Sequence, residues 1–346
     1  MTKPTQTTIR SICLVRLSAL GDVLMFVPLI RTLQQYLPEA KLTWVISRPS
    51  YDLVAGLEGV EFIVIDKPKG IRAYWDFKQR MSTRTFDVLI AAQACYRANF
   101  LYPCIKAKRK IGYDRVRAKD FHWLFIHEAI PSGCDHTLDG FLKFAEHLGV
   151  GQHQITWDIP RTEEDNAWAN QQLKAYKRPI LLVNPASSKP ERTWLIDRYV
   201  TVIRAAQEKL GATVVLTGGP TAYDREVAHQ ILQSVSCVDL VGQTKPKQLL
   251  ALIAAADLML CPDTGPSHMA VAVGTPVIAL HAVTSSWVSG PYIFRDLAID
   301  CYPTAVKKIL KTTKEKNLWG THAHGKDTMA LIPVEAVLEK LAAILG

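Results

Sequence analysis

Residues 9–37 read IRSICLVRLSALGDVLMFVPLIRTLQQYL, and this stretch sets the fold class. Ile9 to Arg16 is a short, mostly apolar run of strand length. From Asp22 to Leu37 the apolar residues Val23, Phe26, Val27, Ile30, Leu33 and Leu37 recur at the spacing of an amphipathic helix. A strand passed through a glycine-bearing turn into a helix is the opening of a β-α-β unit, and the theme repeats. Lys41 to Ile46, Glu61 to Ile65 and Phe86 to Ala91 read as strands, and Asp135 to Leu148 as a helix stopped by Gly149. Strands alternating with helices predict a parallel sheet covered by helices.

The pattern lapses around Trp157 to Arg161, and a polar helix, Glu163 to Tyr176, leads into Lys177-Arg178-Pro179, a hinge between domains. A second alternating series follows. Its strands are Ile180 to Asn184, Thr213 to Thr217, Leu258 to Cys261 and Val277 to His281. Its helices lie near Asp197 to Leu210, Asp224 to Gln233, Lys247 to Ala256 and Ser267 to Val273. The prediction is therefore an α/β protein of two doubly wound domains, residues 1–176 and 177–346, with a central cleft between them. A chain of 346 residues, 48% of them hydrophobic, suits two domains of ordinary size. A last helix runs from Pro333 to Leu345, after a basic stretch, Lys307 to Lys326, that carries no assignable pattern.

Composition narrows the function classes. The polar start, Met1 to Arg10, lacks the pattern of a secretory signal, and no apolar run reaches the roughly 20 residues of a membrane span, so a cytoplasmic protein is expected. Seven scattered cysteines, Cys13, Cys95, Cys104, Cys134, Cys237, Cys261 and Cys301, lack the paired spacing of a zinc site or redox dithiol. His322 and His324 stand without a carboxylate at helical spacing, so no metal is expected. The net charge of +9 is localised: between Asp66 and Asp120 stand fourteen Lys and Arg against five Asp, a difference equal to the whole +9. Such a segment is either a solvated face or the landing surface of a polyanion. A nucleic-acid partner is disfavoured, because the segment shows no interleaved stacking aromatics and no recognised motif.

Four turns at strand ends could carry chemistry. Leu17-Ser18-Ala19-Leu20-Gly21-Asp22 puts a carboxylate in the opening turn of a helix, where it complements the helix dipole or serves as a general base. Pro262-Asp263-Thr264-Gly265-Pro266-Ser267-His268 joins a strand to a helix. It either caps that helix or offers backbone N–H groups and donors to a diphosphate. Asn184-Pro185-Ala186-Ser187-Ser188, followed by Lys189 and Arg192, supplies hydroxyls and a guanidinium suited to phosphate oxygens, with Trp194 read as core. Gly218-Gly219-Pro220 permits close backbone approach to a nucleotide. No Gly-x-Gly-x-x-Gly fingerprint follows the first strand and no Walker loop is present, which argues against dehydrogenases and P-loop enzymes.

These motifs, with Val241-Gly242-Gln243-Thr244 and Gly274-Thr275-Pro276, resemble in order and spacing glycosyltransferase family 9, the lipopolysaccharide heptosyltransferases. Lys106 to Gly112 and Asp139-Gly140-Phe141 look like the subgroup that adds the first heptose to phosphorylated Kdo. The resemblance implies a GT-B fold of two Rossmann-like domains, the acceptor mainly on the first, the nucleotide sugar mainly on the second, and a final helix crossing back. It implies metal-free, inverting transfer of heptose from ADP-heptose to Kdo-lipid A, with no cofactor, at the inner face of the inner membrane. Asp22 is then the base, and Arg192 with Ser187 and Ser188 stabilises the departing diphosphate. Gly219, Asp224, Asp263, Thr264, Gly265 and His268 would hold the donor, Asp224 as the ribose ligand. Ser18 and Gly21, with the basic group Arg97, Lys106, Arg109, Arg115 and Arg117, would meet the acceptor. The alternative within the fold is a transferase or epimerase using another nucleotide sugar, such as a UDP-sugar.

Overall fold

The computed structural model describes residues 8–133, 136–313 and 320–346. It divides into two compact units, residues 8–133 with 137–160, and His136 with 161–346. The first unit runs β1 (Ser11–Val15), α1 (Leu20–Tyr36), β2 (Lys41–Ser47), α2 (Arg48–Val54), β3 (Val60–Ile65), α3 (Gly70–Met81) and β4 (Thr85–Ala91). It continues through α4 (Tyr96–Asn99), β5 (Lys106–Tyr113), β6 (Glu128–Ile130) and α5 (Thr137–His147). Its six strands are all parallel, in the order β3-β2-β1-β4-β5-β6.

Because β1 is central and covered on both faces, Ile12 to Val15 are all fully buried. On α1 the buried surface spreads wider than a single stripe, because α5 packs along the helix and sets Phe141 edge-on to Phe26 with ring centroids 5.1 Å apart. Pro28 lies inside α1 and brings no N–H to the carbonyl four residues back. That carbonyl, on Leu24, instead accepts from the indole Nε1 of Trp157 at 2.9 Å, so the proline is matched by a tertiary bond. The start of the helix read at Asp135 lies outside the described residues, as does Cys134.

The second unit runs α6 (Glu163–Leu173), β7 (Ile180–Val183), α7 (Ile196–Leu210), β8 (Thr213–Leu216), α8 (Ala222–Leu232), β9 (Val238–Asp239) and α9 (Pro246–Ala255). It ends with β10 (Leu258–Pro262), α10 (Gly265–Val273), β11 (Val277–His281), α11 (Ser286–Ser289), β12 (Ile299–Asp300), α12 (Tyr302–Ala305) and α13 (Val334–Leu345). These strands too are all parallel, in the order β12-β11-β10-β7-β8-β9. Two six-stranded parallel sheets with flanking helices are the doubly wound pair that the alternating pattern predicts.

The division between units falls at Pro160–Arg161, one helix before the expected 176/177 boundary, because α6 packs on α9 of the second unit. The final helix α13, expected to cross back to the first domain, packs on α7 and buries Val337 and Leu341 in the core of its own unit. Trp194 is core, as read: it is buried edge-on against Tyr199 at 5.2 Å, and its Nε1 donates to the Ile332 carbonyl at 3.3 Å. Among the described residues no helix is long and apolar enough to cross a membrane. Nor do three His, Cys, Asp or Glu side chains gather there as a metal set.

In the first unit, residues 114–125 are tied to β5 and α4 by one buried ring. His122 Nε2 accepts from the Tyr113 N–H at 3.2 Å, so Nδ1 carries the proton and donates to Asn99 Oδ1 at 2.8 Å. A Cβ on Gly112 would stand 2.4 Å from that Nε2, so only glycine fits there. Burial pushes the His122 pKa down to about 4. The unfolded chain binds the proton from about pH 6.5 downward while the folded chain does not. Stability tied to His122 is therefore complete above pH 6.5 and falls as the pH drops toward 4. Chemical denaturation at pH 7 and pH 5 is expected to show roughly 2 kcal/mol more acid destabilisation for the parent than for His122→Gln.

Candidate active site

In each sheet the order of strand addition reverses once, between β1 and β4 and between β7 and β10. Beyond the carboxyl ends of two such strands their crossovers depart to opposite faces and leave a crevice for ligands. Ser18, Gly21 and Asp22 lie at the first of these points, and Ser187, Ser188, Arg192, Asp263, Thr264, Gly265 and His268 at the second.

At the β1/β4 point, Asp22 occupies the third position of α1, and its Oδ2 accepts from the Ala19 N–H at 3.2 Å, closing the helix start. Oδ2 also pairs with Arg16, which the sequence reading did not single out. Arg16 Nη1 donates to the Ala92 carbonyl beyond β4 at 2.8 Å, and its guanidinium lies over Phe141 at 5.3 Å. Burial works against the Arg16 charge, yet Asp22 holds its pKa raised. Of this pair, the arginine side chain is 12% exposed and the aspartate 32%. The helix-start and general-base readings are thus compatible: Oδ2 is used internally, and Oδ1 makes none of these bonds. Ser18 is half-buried and Gly21 buried on either side of the helix start. Gln93, also unforeseen, fixes the turn by accepting from the Leu17 N–H at 2.7 Å.

At the β7/β10 point the polarity is reversed. Asp263, 8% exposed in its side chain, pairs with Arg192, which is 17% exposed, at 2.9 Å. Its Oδ2 also accepts from Thr284 Oγ1 at 2.6 Å, and that hydroxyl stands 3.4 Å from His281 Nδ1. Burial alone would favour the neutral Asp263 carboxyl, but His281, Arg192, Thr284 and His268 together hold its pKa below the ordinary value. Ser187 is buried, with Oγ donating to the Asp263 carbonyl at 3.4 Å, and Ser188 is exposed. Thr264 stands at the N-cap of α10 without a side-chain capping bond, and Gly265 opens the helix. The capping alternative therefore fails: Asp263 turns toward Arg192, and the positive end of the helix keeps no side-chain cap.

His322 joins this cluster with Nε2 3.4 Å from Arg192 Nη2. Burial and the nearby Arg192, Lys189 and His324 push its pKa down to about 4. Sequence reading weighed His322 only as a metal ligand; its spacing gave no sign of Arg192. Four buried polar atoms at the carboxyl edges, Arg16 Nε, Arg192 Nε, Thr217 Oγ1 and His281 Nε2, have no hydrogen-bond partner among the described residues. Orphaned atoms grouped at strand ends are what a site awaiting polar ligand atoms leaves behind.

Asp224 does not stand open to a ribose. Its Oδ1 accepts from the Gly219 N–H at 3.0 Å and its Oδ2 from the Thr221 hydroxyl, so it locks the Gly218-Gly219 turn to the start of α8. The Thr221-x-x-Asp224 spacing was the capping signal in the sequence.

The five acceptor cations do not form one free cluster. Arg109 is held bidentate by Glu128 at 2.8 and 2.6 Å, which drives that carboxyl down to about 2. Arg117 is almost wholly buried, paired with Asp114 at 2.7 Å and donating to the Ile130 and Pro131 carbonyls. Lys106 donates to the Ser82 carbonyl, while Arg115 is exposed over the Trp123 ring at 5.2 Å and Arg97 is exposed on α4. The expectation that this segment lacks interleaved aromatics is overturned, since Trp75, Tyr96 and Phe100 stand exposed within it and Trp123 just beyond.

Comparison with known proteins gives the class and then the family. The chain covers 97% of a glycosyltransferase family 9 structure from Veillonella parvula, and is covered to 97% by it, at a TM-score of 0.78 and 21% identity. It matches the E. coli ADP-heptose lipopolysaccharide heptosyltransferase II structure at a TM-score of 0.72 and 19% identity, over 97% and 98% of the two chains. This is the GT-B fold. The family model for glycosyltransferase family 9 (heptosyltransferase) matches residues 74–318. The chain is also 32% identical, over 96% of both lengths, to the Haemophilus influenzae lipopolysaccharide core heptosyltransferase OpsX. It belongs to glycosyltransferase family 9, the heptosyltransferases.

Removing the acid from the second-unit pair leaves a mostly buried guanidinium without its countercharge. Asp263→Asn is expected to cost about 3 kcal/mol in urea denaturation, and a loss under about 1 kcal/mol would show that Asp263 does not anchor Arg192.

Proposed function

We propose that the chain transfers heptose from ADP-heptose to the Kdo of a lipopolysaccharide inner-core acceptor such as Kdo-lipid A, at the cytoplasmic face of the inner membrane. The observation that carries this reading is the reversed exposure of the two switch-point ion pairs. In the first unit the carboxylate is the more exposed member, 32% against 12% for Arg16, and in the second the arginine is, 17% against 8% for Asp263. A carboxylate suits the removal of a proton from an attacking hydroxyl. A guanidinium suits the charge that gathers on a departing diphosphate.

The steps follow. Asp22 Oδ1 accepts the proton of the acceptor hydroxyl as its oxygen attacks the anomeric carbon from the face opposite ADP. The bond between that carbon and the diphosphate oxygen breaks, and ADP leaves with the electron pair. Configuration is therefore inverted. Arg192, Ser187, Ser188 and the uncapped start of α10 meet the diphosphate, with Thr264, Gly265 and His268 beside them. Arg16 acts as a positioning residue, because it fixes Oδ2 and so aims Oδ1. The donor assignment is supported by the relatives' own descriptions, which name ADP-heptose and the lipopolysaccharide core. Charge neutralisation by these side chains and the helix end needs no divalent ion.

The test is ADP release from ADP-heptose in EDTA, with and without Kdo-lipid A. Asp22→Asn is expected to lower acceptor-dependent release by about 10²–10⁴-fold while leaving ADP affinity unchanged. Retained turnover in that variant, or release that requires an added divalent cation, contradicts the mechanism.

A further inference from the structure

Of the eleven exposed large hydrophobic side chains among the described residues, eight fall between residues 71 and 124 of the first unit. On α3 the inward face is built from Phe77 and Met81, both buried. The opposite stripe carries Ile71, 89% exposed, and Trp75, 59% exposed, four residues apart and thus on one side of the helix. Arg72 and Lys78 flank that stripe, exposed and without an acidic partner within 4 Å among the described residues.

The neighbouring segments extend this surface. Tyr74 meets the Phe100 ring at 5.9 Å, and Phe100 meets Phe125 at 5.9 Å, which links α3 to α4 and to residues 114–125. Asn99 Nδ2 donates to the Lys119 and Asp120 carbonyls, and Asp120 Oδ2 accepts from the Tyr96 N–H. These bonds hold Asp120 and Phe121 at φ of 54° and 60°, a left-handed conformation that a bulky aromatic residue rarely adopts. Phe121 is exposed, and the same segment also exposes Leu124 and Val116, the last 76% exposed.

From this surface we infer that the first unit docks peripherally on a bilayer bearing anionic headgroups, with α3 and residues 114–124 inserted at the headgroup level. Aromatic and aliphatic side chains rimmed by Lys and Arg are complementary to such a surface on both counts, apolar depth and negative charge. Single-stranded nucleic acid would use the aromatics and cations, but it offers nothing to Ile71, Val116 or Leu124, which have no ring to stack on a base. The inference rests on the reading of the acceptor as lipid-anchored, and it places the membrane on named side chains outside the transfer site.

The experiment is flotation of the full chain with vesicles of phosphatidylcholine containing phosphatidylglycerol, against pure phosphatidylcholine, with no acceptor or donor present. Binding is expected on the anionic vesicles only, weakened by salt. Ile71→Ser with Trp75→Ser is expected to lower partitioning roughly tenfold. Both side chains project into solvent, so the double variant should keep the parent's thermal unfolding and its transfer rate on detergent-dispersed acceptor. Equal partitioning of variant and parent, binding only when the acceptor glycolipid is added, or binding to an oligonucleotide in place of vesicles would each overturn the docking surface. Loss of transfer in detergent by the parent chain would instead count against the proposed reaction, and the two failures are distinguishable.

Discussion

Parallel strands cannot be joined by a hairpin, so every strand must pass the chain from its carboxyl end to a helix on one face of the sheet. Where the order of strand addition reverses, two adjacent carboxyl ends send their crossovers to opposite faces, and backbone N–H groups and helix starts are left facing a shared crevice. Both candidate sites follow from this constraint. The first unit fills its reversal point with Arg16 and Asp22, and the second fills its own with Arg192 and Asp263. The pairs use the same chemistry with opposite members the more exposed. In each, the more exposed member helps keep the less exposed one ionised and is aimed by it, so one scaffold yields a proton acceptor and an anion receptor.

Much of this was legible because the signals were local. The strand-turn-helix periodicity marked β1 with α1 and β10 with α10, and the small hydroxylated turns marked the site loops. Helix starts were misplaced in one consistent way. Reading α1 from Asp22 and α8 from Asp224 put the acid at the first helical position, whereas each sits in the third, closing the turn behind it. That shift matters for function: it turns Asp224 into the lock of the Gly218-Gly219 turn.

The larger omissions were partnerships between residues far apart in the chain. Arg16 reaches a carbonyl at Ala92, and Arg192 meets Asp263 and His322, contacts that no spacing announces. The basic segment was the least legible. Lys106 to Tyr113 is strand β5, and its charges hid the strand because they are matched by the fold itself. Lys108 pairs with Asp87, Arg109 with Glu128, and Lys110 reaches the Tyr102 carbonyl. A run of cations in sequence thus became a paired strand near the edge of the sheet, while the exposed charge moved to α3, α4 and residues 114–124.

The central claim is that the two reversal points are separate in role, the second unit holding the diphosphate and the first supplying the base. Hydrogen exchange with and without ADP tests it most directly. The account predicts slowed exchange confined to residues 184–193 and 262–268, with residues 16–24 and 92–99 unchanged. Protection by ADP of the Arg16–Asp22 turn in place of the Asp263 turn would contradict it.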